Sequence, residues 1–434
     1  MTFPSLPLFI SLQLAFSTPF HSATSGSFPS LPIASYHCLI TGIPRKEKSL
    51  SPRDSVTKIT MAATFSPTPY QEGRPLDLQV CKSYSPDLPS RVTATISRVI
   101  SMTMSVVLDV TLQTRQGPPV HHVLKLYDRR FGSCLREVRK DSPAPNPQEN
   151  EAAFEAFVRR GMMPGFLRHL KERNETEMLA VRAREFLDEP DRTEGLAKYE
   201  AALWQDCIEH FECETKAYHR LADLQGTLVP RIHAHVSLSA AELATIIPQE
   251  TAPYFEVRGI LLERVDGYCL EDLTLGPLPR NLKPWHHIIQ VAADAAYEIN
   301  KRGVIMEDCA PRNVVVDRQS QTPRIVDLAQ CIFRDEMVSE WYEWGWHEDE
   351  DDWDPDVEYW EQVSTRSNPG AIGAVMANRI QRKTGVKMDF RYPDWSGIIA
   401  EIRRRKEEAA LSSTPPNAPS PKPTPSSTTR AQKP

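Results

Sequence analysis

No two cysteines in this chain of 434 residues are spaced two apart. The eight present (Cys38, Cys81, Cys134, Cys207, Cys213, Cys269, Cys309 and Cys331) are scattered, which argues against a structural zinc site and gives no disulfide framework. They read as reduced thiols of a cytoplasmic protein. Long hydrophobic runs are also missing. The most apolar stretch, Leu6–Phe16, is interrupted by Pro7, is too short to span a bilayer, and has no Lys or Arg before Arg45 to form the basic start of a secretory signal. Nor is there a strong excess of either charge. With 51 Lys and Arg against 57 Asp and Glu, the net charge of -6 gives no electrostatic reason to seek nucleic acid or an anionic membrane. No internal repeat is present.

What is present suits a soluble globular protein with a sizeable core: 40% hydrophobic and 25% charged residues. The 37 prolines crowd the two ends. Residues 1–75 are rich in Ser, Pro and Thr, and residues 411–434 are Pro/Ser/Thr low complexity; neither composition can bury a core, so both are expected to be disordered. The Pro-rich tail is a candidate docking segment for a protein partner. Met61 precedes the first stretch that reads as folded and leaves a second start of translation open. The sequon at Asn174 matters only in a secreted chain.

Between Met102 and Leu112 apolar and mostly polar positions alternate, the period of a half-buried strand. Gly117-Pro118-Pro119 then turns the chain and Val120–Tyr127 returns, giving a hairpin with Lys125 in its second arm. From about 141 to 201 the composition becomes charged and helix-favouring, broken by prolines, and reads as an insertion. A helix is expected over Ala202–Leu221, with Glu214 on its apolar stripe. Strands follow at Val229–Val236 and Gly259–Leu262. A helix over Trp285–Arg302 ends on Lys301, Arg302 and Gly303, a good stop signal. Short strands at Val304–Met306, Val314–Val316 and Arg324–Val326 then bring Asp308, Asn313 and Asp327 to neighbouring ends, and helices are expected around Pro369–Lys383 and Trp395–Ala410.

A carboxylate on a buried helical stripe must find a cation or donors, because an unpaired buried charge costs several kcal/mol. Lys125, on an apolar strand upstream, is the obvious partner for Glu214; the bland alternative puts Glu214 at the edge of the stripe, reaching solvent. Asp308 and Asn313, five apart in a loop, followed by Asp327 after a hairpin, form the set that phosphoryl transfer requires: one carboxylate to accept a proton, and an Asn and a second Asp to hold Mg²⁺.

In order and setting these residues resemble the protein-kinase-like superfamily, specifically the divergent kinase-like proteins common in fungal genomes, over roughly 92–333. The resemblance implies an α+β, two-lobed kinase-like fold with a small β-rich N-lobe at 76–258 (insertion about 141–201) and a hinge with a mainly helical C-lobe at 259–410. It implies ATP and Mg²⁺ as cofactors, Asp308 as catalytic base, Asn313 and Asp327 as metal ligands, Lys125 on the α/β-phosphates with Glu214 as its helix partner, and adenine contacts along Glu263 and Val265. Arg312 is implied to steady either the transferred phosphoryl group or the base. The phosphoryl acceptor, protein or small molecule, stays open.

The chain also departs from that pattern. Ile96–Ser105 contains no glycine, Met306 and Glu307 stand where His and Arg are usual, Ala329 stands for Gly, and no Ala-Pro-Glu follows Asp327. These departures bring the chain closer to the aminoglycoside and choline kinase-like branch and keep a second reading open, a pseudokinase scaffold that binds without catalysis. His121-His122 are expected to face solvent, the acidic run 348–356 to be a solvated loop, and Trp341, Trp344, Trp346, Trp353 and Trp360 to pack on the body of the protein.

Overall fold

The computed structural model describes residues 68–113, 118–139, 142–143, 148–177, 180–238, 249–276, 279–343, 345 and 353–413. Residues 1–67 and 414–434, Trp344, Trp346 and most of the acidic run lie outside the described residues. The chain divides into two compact units, and its architecture mixes helix and strand.

One unit lies within Ala144–Leu203. Helix α1 (Gln148–Arg159) is followed, after Gly161 at φ +72°, by α2 (Met163–Thr176), a short 3-10 helix at Ala183–Asp188, and the first residues of α3 (Arg192–Arg220). Phe157, Phe166 and Phe186 stack edge to face at 5.8 and 5.2 Å and are buried. Helix α3 starts ten residues before the expected Ala202, because the Asp191 carboxylate accepts hydrogen bonds from the Thr193 and Glu194 amides at 2.9 and 3.1 Å and so caps the helix start.

The other unit comprises Thr68–Pro143 and the residues from Trp204 onward. Six antiparallel strands form a closed barrel: β1 (Pro75–Ser83), β2 (Arg91–Met102), β3 (Val106–Leu112), β4 (Val120–Leu126), then, past a small hairpin of β5 (Glu137–Arg139) and β6 (Ser142–Pro143), β7 (Ile232–Leu238) and β8 (Val257–Glu263), in spatial order β1-β2-β3-β4-β8-β7. The single strand expected over Met102–Leu112 is instead the end of β2, a turn at Thr103–Ser105, and β3. Apolar alternation runs straight through the turn, so the pattern conceals it. The carbonyls of Met102 and Thr103 accept hydrogen bonds from the backbone of Ser133, Cys134 and Leu135 and hold the turn down. Leu76, Leu78, Ile96, Leu108, Leu124 and Leu126 fill the barrel.

The structure begins inside the segment 1–75 that composition marks as disordered. Tyr70 is buried and its hydroxyl donates to Asp128 at 2.6 Å. The expected boundary at 258/259 cuts through β8, which as a barrel strand runs unbroken to Glu263. His122, expected in solvent, is buried in β4 with its ring 4.9 Å from that of His233, whereas His121 is exposed.

Beyond β8 the described residues form β9 (Gly267–Cys269), α4 (Lys283–Asn300), β10 (Val304–Met306), β11 (Val314–Asp317), β12 (Pro323–Ile325), β13 (Cys331–Phe333) and the helices α5 (Arg334–Glu343), α6 (Pro355–Arg366), α7 (Asn368–Thr384) and α8 (Trp395–Ser413). Strands β9, β11 and β12 form one small antiparallel sheet and β10 pairs with β13. Helix α4 is the centre of the helical core: Ile288, Ile289, Ala292, Ala295, Ala296 and Ile299 are all buried on it. Trp341 packs with Ile305, Met337, Tyr359 and Val363, and Trp353 and Trp360 lie partly buried against them.

Candidate functional site

Lys125 stands in the middle of the barrel wall, opposite Val107 on β3 and Ile260 on β8. Its side chain leaves the barrel core and meets α3 and the segment after β12. The ammonium donates to Glu214 Oε2 at 2.5 Å and to Asp327 Oδ1 at 2.6 Å. The Glu214 side chain is completely buried and that of Lys125 almost so, while 42% of the Asp327 side chain is exposed. The bland alternative for Glu214, a side chain reaching solvent, is thereby excluded. Its other lone pairs are used as well: the buried Tyr127 hydroxyl donates to Oε2 and the Leu328 amide to Oε1 at 3.3 Å.

The charges follow from these contacts. Burial alone would push the Lys125 ammonium down, but Asp327 and Glu214 together outweigh it and hold the group well above its ordinary range. Lys125 in turn holds the Asp327 carboxyl below the usual range against the effect of burial. Burial and the adjacent Glu214 keep the Tyr127 phenol protonated far beyond its normal pH. His210, one turn before Glu214 on α3, is pushed down by burial and by the Lys125 charge, so a cation is disfavoured beside a cation.

Asp327 adopts φ +63°, in the left-handed region that Asp tolerates better than most residues. Such strain persists where the surroundings over-determine it. Here the preceding Val326 amide donates to the Asn313 carbonyl at 2.9 Å, the following Leu328 amide is held by Glu214, and Lys125 grips the side chain.

The Val326–Asn313 bond joins this cluster to the loop after β10. In that loop the Arg312 guanidinium forms an ion pair with Asp308, and Asn313 Nδ2 donates to the Asp308 carbonyl at 2.8 Å and to its Oδ2 at 3.0 Å. About one third of the Asp308 side chain is exposed. Because Asn313 spends its amide nitrogen on Asp308, its Oδ1 is the atom left to serve as a ligand. The loop is anchored by the buried Asn368 at the start of α7, whose side chain brackets Met306 (Nδ2 to Met306 O 2.7 Å, Met306 N to Oδ1 3.0 Å) and accepts from Asn300 at 2.8 Å.

Two predicted residues stand apart from these clusters. Glu263 lies opposite His122, three positions along β8 from the residue facing Lys125. Its carboxylate accepts from Arg324 at 2.6 Å and from the Arg231 amide at 3.0 Å, and its own amide donates to the Arg231 carbonyl at 2.8 Å. Val265, two residues on, is half-buried. Sequence reading missed Tyr127, Asn300 and Asn368. Tyr127, two after Lys125 on a strand and so on the same face, carried a usable signal; the two asparagines, 68 positions apart, carried none.

Among the described residues no three His, Cys, Asp or Glu side chains gather as a metal site. Asp327 and Asn313 nonetheless supply hard oxygen donors, and Mg²⁺ is commonly held by one or two carboxylates with phosphate oxygens and water completing the shell. That donor set fits a metal that arrives with a nucleotide.

No protein-family model matches the chain, and no curated protein matches it. Among solved structures, a double mutant of the kinase domain of Mycobacterium tuberculosis PknI is similar at 14% identity, covering 72% of this chain and 83% of that one, with a TM-score of 0.28. A single mutant of the same domain covers the same shares at 13% identity and a TM-score of 0.27. At such scores the likeness carries no argument of its own.

Proposed function

We propose that this chain is a phosphotransferase of two-lobed, kinase-like fold that moves the γ-phosphate of ATP to a hydroxyl acceptor. The observation that carries the reading is the buried Lys125–Glu214 pair extended to Asp327, with Asp327 tied through Val326 to Asn313 and thence to Asp308. A structural ion pair needs only two members; five polar groups converging from four elements suit a polyanionic ligand and its metal.

On this reading Lys125 binds the α/β-phosphates and Glu214, fixed by Tyr127, keeps the lysine extended. Asp327 and Asn313 Oδ1 hold Mg²⁺, which when bound neutralises phosphate charge. Asp308 orients the acceptor hydroxyl and takes its proton as the new P–O bond forms and ADP departs, and Arg312 holds the Asp308 carboxylate in place. Adenine lies along the Glu263–Val265 backbone. After Asp327 the chain reaches β13 within four residues and α5 within seven, which leaves little chain for a peptide-binding platform and favours a small hydroxyl compound as acceptor.

One observation favours the second reading, a pseudokinase scaffold that binds without catalysis. The β2–β3 turn has no glycine to let the backbone approach phosphates closely, and its carbonyls pin it to the Ser133–Leu135 backbone. Thermal shift with and without MgATP tests the nucleotide site that the phosphotransferase reading requires. A Mg²⁺-dependent rise in Tm that disappears in Asp327→Ala is expected, by mass action on the folded state; no shift at saturating MgATP in the parent chain would refute nucleotide binding.

A further inference from the structure

Cys213 precedes Glu214 on α3, and Cys331 opens β13 four residues after Asp327. They are 118 positions apart in sequence, yet Cys213 Sγ accepts from the Cys331 amide at 3.2 Å and donates to the Cys331 carbonyl at 3.4 Å and the Leu328 carbonyl at 3.8 Å. A sulfur 3.2 Å from its partner's own backbone nitrogen lies within a side-chain rotation of that partner's sulfur, which is the approach a disulfide needs. Both residues are half-buried and within reach of a small oxidant. Of the other described cysteines, Cys207 is buried, Cys81 is exposed near the end of β1, Cys269 donates to the carbonyls of Pro311 and Arg312, and Cys309 donates to that of Asn368.

We propose that Cys213 and Cys331 are a modification site, a dithiol that peroxide converts reversibly into an intramolecular disulfide. One thiolate displaces hydroxide from hydrogen peroxide and becomes a sulfenic acid; the second thiol attacks that sulfur, forms the S–S bond and releases water. Two thiols and one peroxide thus give one disulfide and two waters, and a thiol reductant reverses the change. The bond staples α3 beside Glu214 to the segment that leaves Asp327, closing a loop of more than a hundred residues. Cross-links over long loops restrict the unfolded chain most.

The test uses the full chain, reduced and then treated with hydrogen peroxide. None of the three readouts depends on nucleotide, so the outcome is independent of the phosphotransferase reading. Expected are the loss of two of the eight free thiols, a Cys213–Cys331 linked peptide in non-reducing mass mapping, and a rise in Tm that dithiothreitol reverses. Cys213→Ser and Cys331→Ser should each lose both the linked peptide and the rise, and having two variants guards against one that fails to fold. Retention of all thiols, a different mapped pair, a link between two chains, oxidation of Cys213 to a sulfinic acid without a link, or a mapped link without a rise in Tm would each overturn it.

Discussion

Replacing Glu214 by Leu should cost the fold about 3–5 kcal/mol, the usual range for breaking a buried ion pair from one side. Lys125 keeps Asp327, but that carboxylate is partly exposed and attracts it through a wetter medium. The buried Tyr127 hydroxyl and the Leu328 amide both lose their acceptor, and an orphaned buried donor costs about 1–3 kcal/mol. At about 2–4 °C per kcal/mol for a unit of a few hundred residues, Tm should fall by roughly 10 °C. Lys125→Met should cost a similar amount by leaving Glu214 charged. The double variant should cost far less than the sum, because an apolar pair of similar volume needs no compensation. Urea denaturation of the four proteins closes the cycle. If the single changes cost under about 1 kcal/mol, or add to within about 0.5 kcal/mol, the network is not the buried, coupled unit described here.

Two further outcomes test other parts of the fold. At Gly259 on β8 a Cβ would lie 2.6 Å from the Lys125 carbonyl and 2.7 Å from Leu126, so Gly259→Ala should destabilise by about 1–3 kcal/mol; a change within about 0.5 kcal/mol in denaturant titration would show that the barrel wall gives way. His122 is held down to about 4, chiefly by burial and then by His233, with a smaller push from His121. Below its unfolded value near 6.5 the unfolded chain binds a proton that the folded chain refuses, so stability falls as pH drops from about 6.5 toward 4. His122→Phe should make Tm less sensitive to pH over that interval, with His210, His233 and His235, all held below their ordinary range by burial, contributing to the remaining slope; an unchanged slope would place the acid sensitivity elsewhere.

Lys125 and Glu214 were legible because each polar residue interrupts an apolar pattern, and such an interruption demands a partner. Asp308, Asn313 and Asp327 were legible by their order around two short strands. The rest needed three dimensions. Barrel closure depends on β1 meeting β7, about 150 positions later, and no local period encodes it. The ten-residue extension of α3 was hidden by Gly195 and a run of charges, although Asp191 followed by Glu194 is a helix-start signal. The left-handed backbone of Asp327 is set by long-range hydrogen bonds, those of Val326 and Leu328 on either side and that of its own carboxylate with Lys125. The carboxylate of Glu263 is committed to Arg324, 61 positions away, a pairing that no sequence pattern reveals.

The barrel has one more consequence. A sheet that returns to its first strand has no edge, so none of the six strands offers a row of unpaired amides and carbonyls to another chain. Most small open sheets must blunt their borders with charge, proline or a covering loop. This one instead lets β7, delivered after an excursion of more than a hundred residues from β4, serve as the closing stave, gripped by β1 on one side and β8 on the other. Loss of that stave would expose two borders at once, on β1 and on β8, so β7 is the strand that keeps the barrel closed to pairing with another chain.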